Sequence, residues 1–130
     1  MNLTKEELQQ QLKAIQTEED NKIIKEALPY FESFKGKCFK SKDYYSGEKS
    51  WWRYIKVLDV NESCIYVSGG RALSNYKGVY FQTDSYGTTT INQEEDGYIH
   101  TIEDYTEITK EDFNKEVGKM ISNVSNILYL

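Results

Sequence analysis

Few side chains in this chain of 130 residues have the chemistry to make or break bonds. His100, Cys38 and Cys64 are its only imidazole and thiols, too few and too scattered for a zinc site of ordinary spacing. There is no G-x-S-x-G, no phosphate-binding P-loop and no Cys-His pair at a recognisable spacing, so no nucleophile and base arrangement is legible. His100 reads as a surface strand residue, and the two cysteines as reduced, partly buried thiols in predicted strands. Glu94, Glu95 and Asp96 lack the alternating ligands and following glutamate of a calcium loop, so they read as a solvated turn. Carboxylate pairs that assemble only in space leave no such trace, and catalysis stands as the third expectation behind two kinds of binding. No cofactor is expected.

Binding has more support. Tyr44, Tyr45, Trp51, Trp52, Arg53 and Tyr54 lie in or beside one stretch, and Tyr, Trp and Arg are the types enriched in interface hot spots. Side chains alternate across a strand, so Trp51 and Trp52 face opposite ways, and one of them lies outside the core unless a helix covers it. Gly69-Gly70-Arg71 has the composition of a small anion nest, with Arg71 as a bidentate partner for phosphate or carboxylate; a plain turn explains the same residues. Lys37, Lys40, Lys42, Lys49, Arg53, Lys56 and Lys77 make the middle of the chain the place for a nucleotide or single-stranded nucleic acid, with aromatics for stacking. Two arginines in all and an acidic total weigh against a dedicated nucleic-acid binder.

Net charge is -5, distributed as -2 over residues 1–35, +4 over 36–83 and -7 over 84–130. That pattern calls for internal pairing or a polarised surface that meets a charged partner. Glu94, Glu95, Asp96, Glu103 and Asp104 are the acids expected to enter a basic groove on another protein. With the aromatic and arginine candidates they complete the predicted partner-binding set: Tyr44, Tyr45, Trp52, Arg53 and Arg71.

The elements that must position these groups follow from periodicity. Thr4-Lys5-Glu6-Glu7 forms a capping box, so a helix begins near Lys5. Pro29 should stop or kink it, giving a long helix or helix pair that ends near Leu28; the Leu8, Leu12, Ile15 block is not quite in phase with the apolar block from Ile23, so Thr17 to Asn21 is a kink, a break recapped by Thr17 or one long solvated turn. That narrow first stripe suits packing on the domain or pairing with a second copy. Strands are expected over Lys37–Ser41, Trp51–Val60, Cys64–Ser68, Gly78–Thr83, Thr88–Ile91, Tyr98–Thr101 and, closing the set, Tyr105–Ile108, with loops at Lys42–Ser50 and after Arg71. Thr109 caps a last helix from Lys110 to about Val124, in which Gly118 suggests a close contact. The fold class is α+β: an N-terminal helix, a small antiparallel SH3-like barrel or sheet of five to six strands, and a C-terminal helix.

A chain of this length is one domain, with residues 1–35 helical, 36–108 the barrel and 109–130 the last helix. Only 38% of residues are hydrophobic, but 11 tyrosines and 14% aromatics supply buried area, so a folded chain is expected over a disordered one. No apolar run approaches the roughly 20 residues of a membrane span and no signal-peptide core opens the chain, which places it in the cytoplasm.

Gly36-Lys37-Cys38-Phe39, Trp51 to Val57, Phe81-Gln82-Thr83-Asp84 and Tyr105 to Asn114 together resemble a group of small uncharacterised proteins from phages and prophages of low-GC Gram-positive bacteria. The likeness runs from Gly36 to about Met120; residues 1–35 depart from the group's pattern. It implies a host-cell accessory factor that blocks bacterial defence, most simply an anti-CRISPR protein acting on a nuclease or its complex. The expectation is therefore a non-enzymatic inhibitor that binds a defence effector through acidic and aromatic surface. The alternative is a module that sequesters a nucleotide signal or grips single-stranded nucleic acid. A homodimer through the N-terminal helix is expected as well.

Overall fold

The computed structural model describes residues 3–85 and 89–129, with side chains over 3–85 and 96–122. Helix α1 runs Lys5–Glu32, and its N-cap is the one foreseen: Thr4 Oγ1 accepts from the Glu7 amide at 3.1 Å. It is continuous across Thr17–Asn21. There Gln16 Nε2 donates to Asp20 Oδ1 at 2.8 Å and Thr17 Oγ1 to the Lys13 carbonyl at 2.9 Å, so the polar residues bond within the helix instead of breaking it. Nor does Pro29 end it. The helix carries on through Glu32 because the turns around Pro29 deliver Phe31 and Phe34 to the core, at 6% and 8% exposure. Burial of two phenyl rings, worth about 1.5–3 kcal/mol each, outweighs the one amide hydrogen bond that Pro29 forfeits.

Six of the seven strands follow in one run: β1 Cys38–Lys40, β2 Tyr44–Ser46, β3 Lys49–Asp59, β4 Ile65–Ser68, β5 Arg71–Asp84 and β6 Thr89–Tyr98. A short helix α2, Ile99–Ile102, then leads to β7, Thr106–Ile108, and to helix α3, Lys110–Tyr129. All pairings are antiparallel, in the order β4-β5-β3-β1-β7, with β2 added to β3 and β6 to β5. The expected antiparallel sheet is there; among the described residues it has seven strands where five to six were expected, and it is not closed into a barrel.

Six local expectations are corrected with it. The Lys42–Ser50 loop contains β2, and Cys64 sits in a 3-10 turn, Glu62–Cys64. Arg71–Asp84 is one strand of 14 residues, with a register shift against β6 between Gly78 and Tyr80 in place of a loop, and β6 includes the supposed acidic turn at Glu94–Asp96. Residues 99–102 are helix α2, where Ile99 and Ile102, both 0% exposed, use a spacing of three to reach the core. A Cβ added at Gly118 would meet nothing within 4 Å, so that glycine marks no close helix contact. The expected turn after Asp84 includes Tyr86 and Gly87, which lie outside the described residues.

The sheet carries a cluster on each face. On the α1 face Phe31, Phe34, Phe39, Ile55, Val57 and Ile102 are among the buried residues; on the other, Cys38, Tyr54 and Phe81 form a cluster with Phe113 of α3. The β3 alternation was read correctly: Ile55 and Val57 belong to the first cluster, Trp52 and Tyr54 to the second. Thr109 Oγ1 caps α3 by accepting from the Asp112 amide at 3.0 Å. Among the described residues no helix is long and apolar enough to cross a membrane.

Candidate functional site

Two groups of predicted residues gather on the α1 side of the sheet, on either side of the turn that follows α2. The first is built on the β2–β3 hairpin. Tyr44 pairs with Trp51 in register and stacks on it at 4.2 Å, with 19° between the rings. One position along the same face, the Arg53 guanidinium lies 5.7 Å from the Trp51 ring and 5.0 Å from the Tyr80 ring, within cation-π range of both. The Tyr44 hydroxyl meets that of Tyr105 at 3.3 Å, which ties the hairpin to the segment beginning at Glu103 and Asp104. Tyr45, on the opposite face of β2, is 75% exposed.

Ser41 fixes the base of this arrangement. Its amide donates to the Arg53 carbonyl at 2.9 Å and its hydroxyl accepts from the Arg53 amide at 2.8 Å, so one serine completes the rung that β1 has just left. Trp52 points the other way, packed against the cluster of Cys38, Tyr54, Phe81 and Phe113, with its indole N–H donating to the Tyr54 hydroxyl at 3.2 Å. Lys40 lies 5.4 Å from the Trp52 ring. Burial raises the pKa of Tyr54, which keeps this phenol protonated as an acceptor for the indole. Trp52 and Arg53 are thus on different faces and cannot share one small ligand.

The second group lines a cleft of about 450 Å³ between α1, the β4–β5 turn and α2. Gly69 and Gly70 have φ of 57° and 77°, and they join Ser68 to its register partner Arg71. Two successive positive φ angles in a two-residue hairpin loop are the I′ pattern, so the turn reading of these glycines holds over the anion nest. Its consequence for the cleft is the position of Arg71 at the first residue of β5. Facing it are Tyr30 and Glu26 of α1, His100 of α2 and Glu103 just beyond. Burial raises the pKa of Tyr30, and so do the charge of Glu103 and its hydrogen bond to the phenol. His100 is exposed, as foreseen, but on a helix, with its ring 5.1 Å from that of Tyr98.

The remaining acids are dispersed. Asp96 is exposed on β6 opposite Lys77, and Asp104 is exposed in the turn after α2. The Glu94 and Glu95 side chains lie outside the described residues. Part of the charge asymmetry is settled internally, since Lys37 meets Glu107 at 3.3 Å and Lys49 meets Asp84 at 3.0 Å, each pairing the basic middle with the acidic end. Cys38 is 1% exposed and burial pushes its thiol pKa up, so it is the inert core thiol that sequence suggested. Among the described residues no three His, Cys, Asp or Glu side chains cluster as a metal site.

Sequence reasoning missed Tyr30, Tyr80 and Tyr105. Tyr30 follows the proline taken as a helix end, and Tyr80 and Tyr105 were read only as strand residues; nothing local distinguishes them from the eight other tyrosines. Comparison of the chain with family models, with curated proteins and with solved structures gave no match.

Proposed function

We propose that this chain is a phage or prophage accessory protein that inhibits a bacterial defence system, most simply as an anti-CRISPR protein that grips an effector without chemistry of its own. The observation behind this is the Tyr44–Tyr105 contact, which brings the aromatic hairpin beside Glu103 and Asp104, residues some sixty positions away. Tyr45, exposed on the other face of that hairpin, is the natural anchor, and the acids supply attraction toward a basic groove. The resemblance of Gly36 to Met120 to phage accessory proteins supports the same reading. We take the open sheet, with register shifts at Val57/Asp59 and Gly78/Tyr80, as an opened version of an SH3-like arrangement. Two copies would pair through Leu8, Leu12 and Ile15, which are 47%, 66% and 53% exposed.

The test is capture of partners from a bacterial host lysate on the immobilised chain. One dominant defence protein is expected, lost on Tyr45→Ala and bound more slowly, with weaker salt dependence, when Glu94, Glu95, Asp96, Glu103 and Asp104 are reversed in charge. Undiminished capture by both variants would sink the reading. A second reading, a ligand-binding module, is favoured by the cleft at Arg71, whose volume lies within the range of small-molecule sites. The ligands of that reading are a nucleotide signal or single-stranded nucleic acid.

A further inference from the structure

The cleft beside α2 holds charges of both signs that do not pair. Arg71, Glu26, His100 and Glu103 line it and are exposed, yet among the described residues no carboxylate lies within 4.0 Å of the Arg71 guanidinium. Glu103 lines the cleft together with Tyr30, whose phenol pKa its charge helps to raise. An exposed ion pair is worth only about 0–1 kcal/mol, so holding the two charges apart costs the fold little. Between them the floor is apolar, formed by Ala27, Phe31 and Ala72.

Separated opposite charges over an apolar floor complement a molecule that carries both charges and an apolar body. We propose that this cleft binds a small amphipathic zwitterion of the amino-acid class. Its carboxylate sits on the Arg71 guanidinium in a bidentate pair, its ammonium lies between Glu26 and Glu103, and its side chain rests on Phe31 and Ala72. A nucleotide suits these walls less well, because its phosphate charge would face two carboxylates for a single guanidinium. The inference rests on the ligand-binding reading above and replaces its nucleotide with a different class.

The experiment is calorimetric titration of the full chain with L-phenylalanine and L-leucine, alongside 3-phenylpropionate, phenethylamine and adenosine monophosphate. At least one amino acid should bind, and the two half-molecules, each lacking one charge, should bind at least about tenfold more weakly, the loss expected for a charged hydrogen bond. Arg71→Gln and Glu103→Gln should each weaken the amino acid by a similar factor with an unchanged melting temperature. Amide shift changes on titration should centre on residues 71–74 and 99–103. Should either variant unfold, the half-molecule comparison on the unmodified chain still decides. Equal binding of whole and half-molecules overturns the zwitterion, as do shift changes centred elsewhere. Binding of adenosine monophosphate alone overturns the amino-acid class and leaves a ligand-binding module standing. No binding by any of the five removes both.

Discussion

The two halves of α1 are one helix under two regimes. From Lys5 to Glu19 every residue is exposed, a length of roughly 22 Å at the α-helical rise. From Ile23 onward Ile24, Ala27, Leu28 and Phe31 pack on the sheet. Ile15 and Ile24 are nine residues apart, about two and a half turns, so the apolar stripe of the first half points away from the side that the second half buries. The first half therefore stands on capping and intrinsic propensity, and the second on burial. Isolated helices of that length are marginal in water, which is why the outer half has reason to find a partner and the inner half has none.

The comparison can be broken most sharply by cutting side chains in each half. Phe31→Ala should cost about 3–5 kcal/mol in chemical denaturation, whereas Leu12→Ala in the monomer should fall within about 0.5 kcal/mol; similar losses would mean that the outer half is packed after all. Leu12→Asp sharpens the same point at the level of assembly. Light scattering at micromolar concentration should give a dimer for the parent and a monomer for the variant, and a monomer for both would dispose of pairing through this stripe. A smaller effect is expected from Thr4→Ala, about 1 kcal/mol of local stability. It should appear as faster amide exchange over the first turns of α1, with protection at Phe31 unchanged.

Tyr30, at the inner end, gives the comparison a pH axis. Its folded pKa is raised above that of a free phenol, so its contribution is complete below about pH 10 and is lost as pH rises through the folded value. Tyr30→Phe should flatten the alkaline fall of the melting temperature. The smallest effect concerns the thiols: Cys64, part exposed, should react with an aromatic disulfide reagent at pH 8, and Cys38 only on unfolding.

Much of this was readable from residues alone. The Thr4 and Thr109 caps, the two-faced β3 and the outline of helix, sheet and helix follow from local pattern, and the structure keeps them. What was not readable depends on tertiary contact. Gly78 looked like the boundary of a loop, yet a Cβ there would come within 2.7 Å of the Lys56 carbonyl, so the glycine permits close strand approach inside a continuous β5. Ile99 and Ile102 fit either a strand or one helical turn, and only the core they enter decides. The meeting of Arg71 with Tyr30 and Glu103 comes from three elements and leaves no mark in any of them.

The ring of Tyr76 is 3% exposed and leans over both Gly78 and Gly97, on β5 and β6. A methyl carbon at Gly97 would come within 2.6 Å of it. Tyr76 and Gly97 therefore form a lock in which the aromatic occupies volume that an ordinary residue would claim, whereas Gly78 is held independently by the Lys56 carbonyl. A bulkier residue in place of Gly97 becomes admissible once Tyr76 shrinks, and homologues that have lost the aromatic should show relaxed choice at Gly97 and unchanged glycine at position 78.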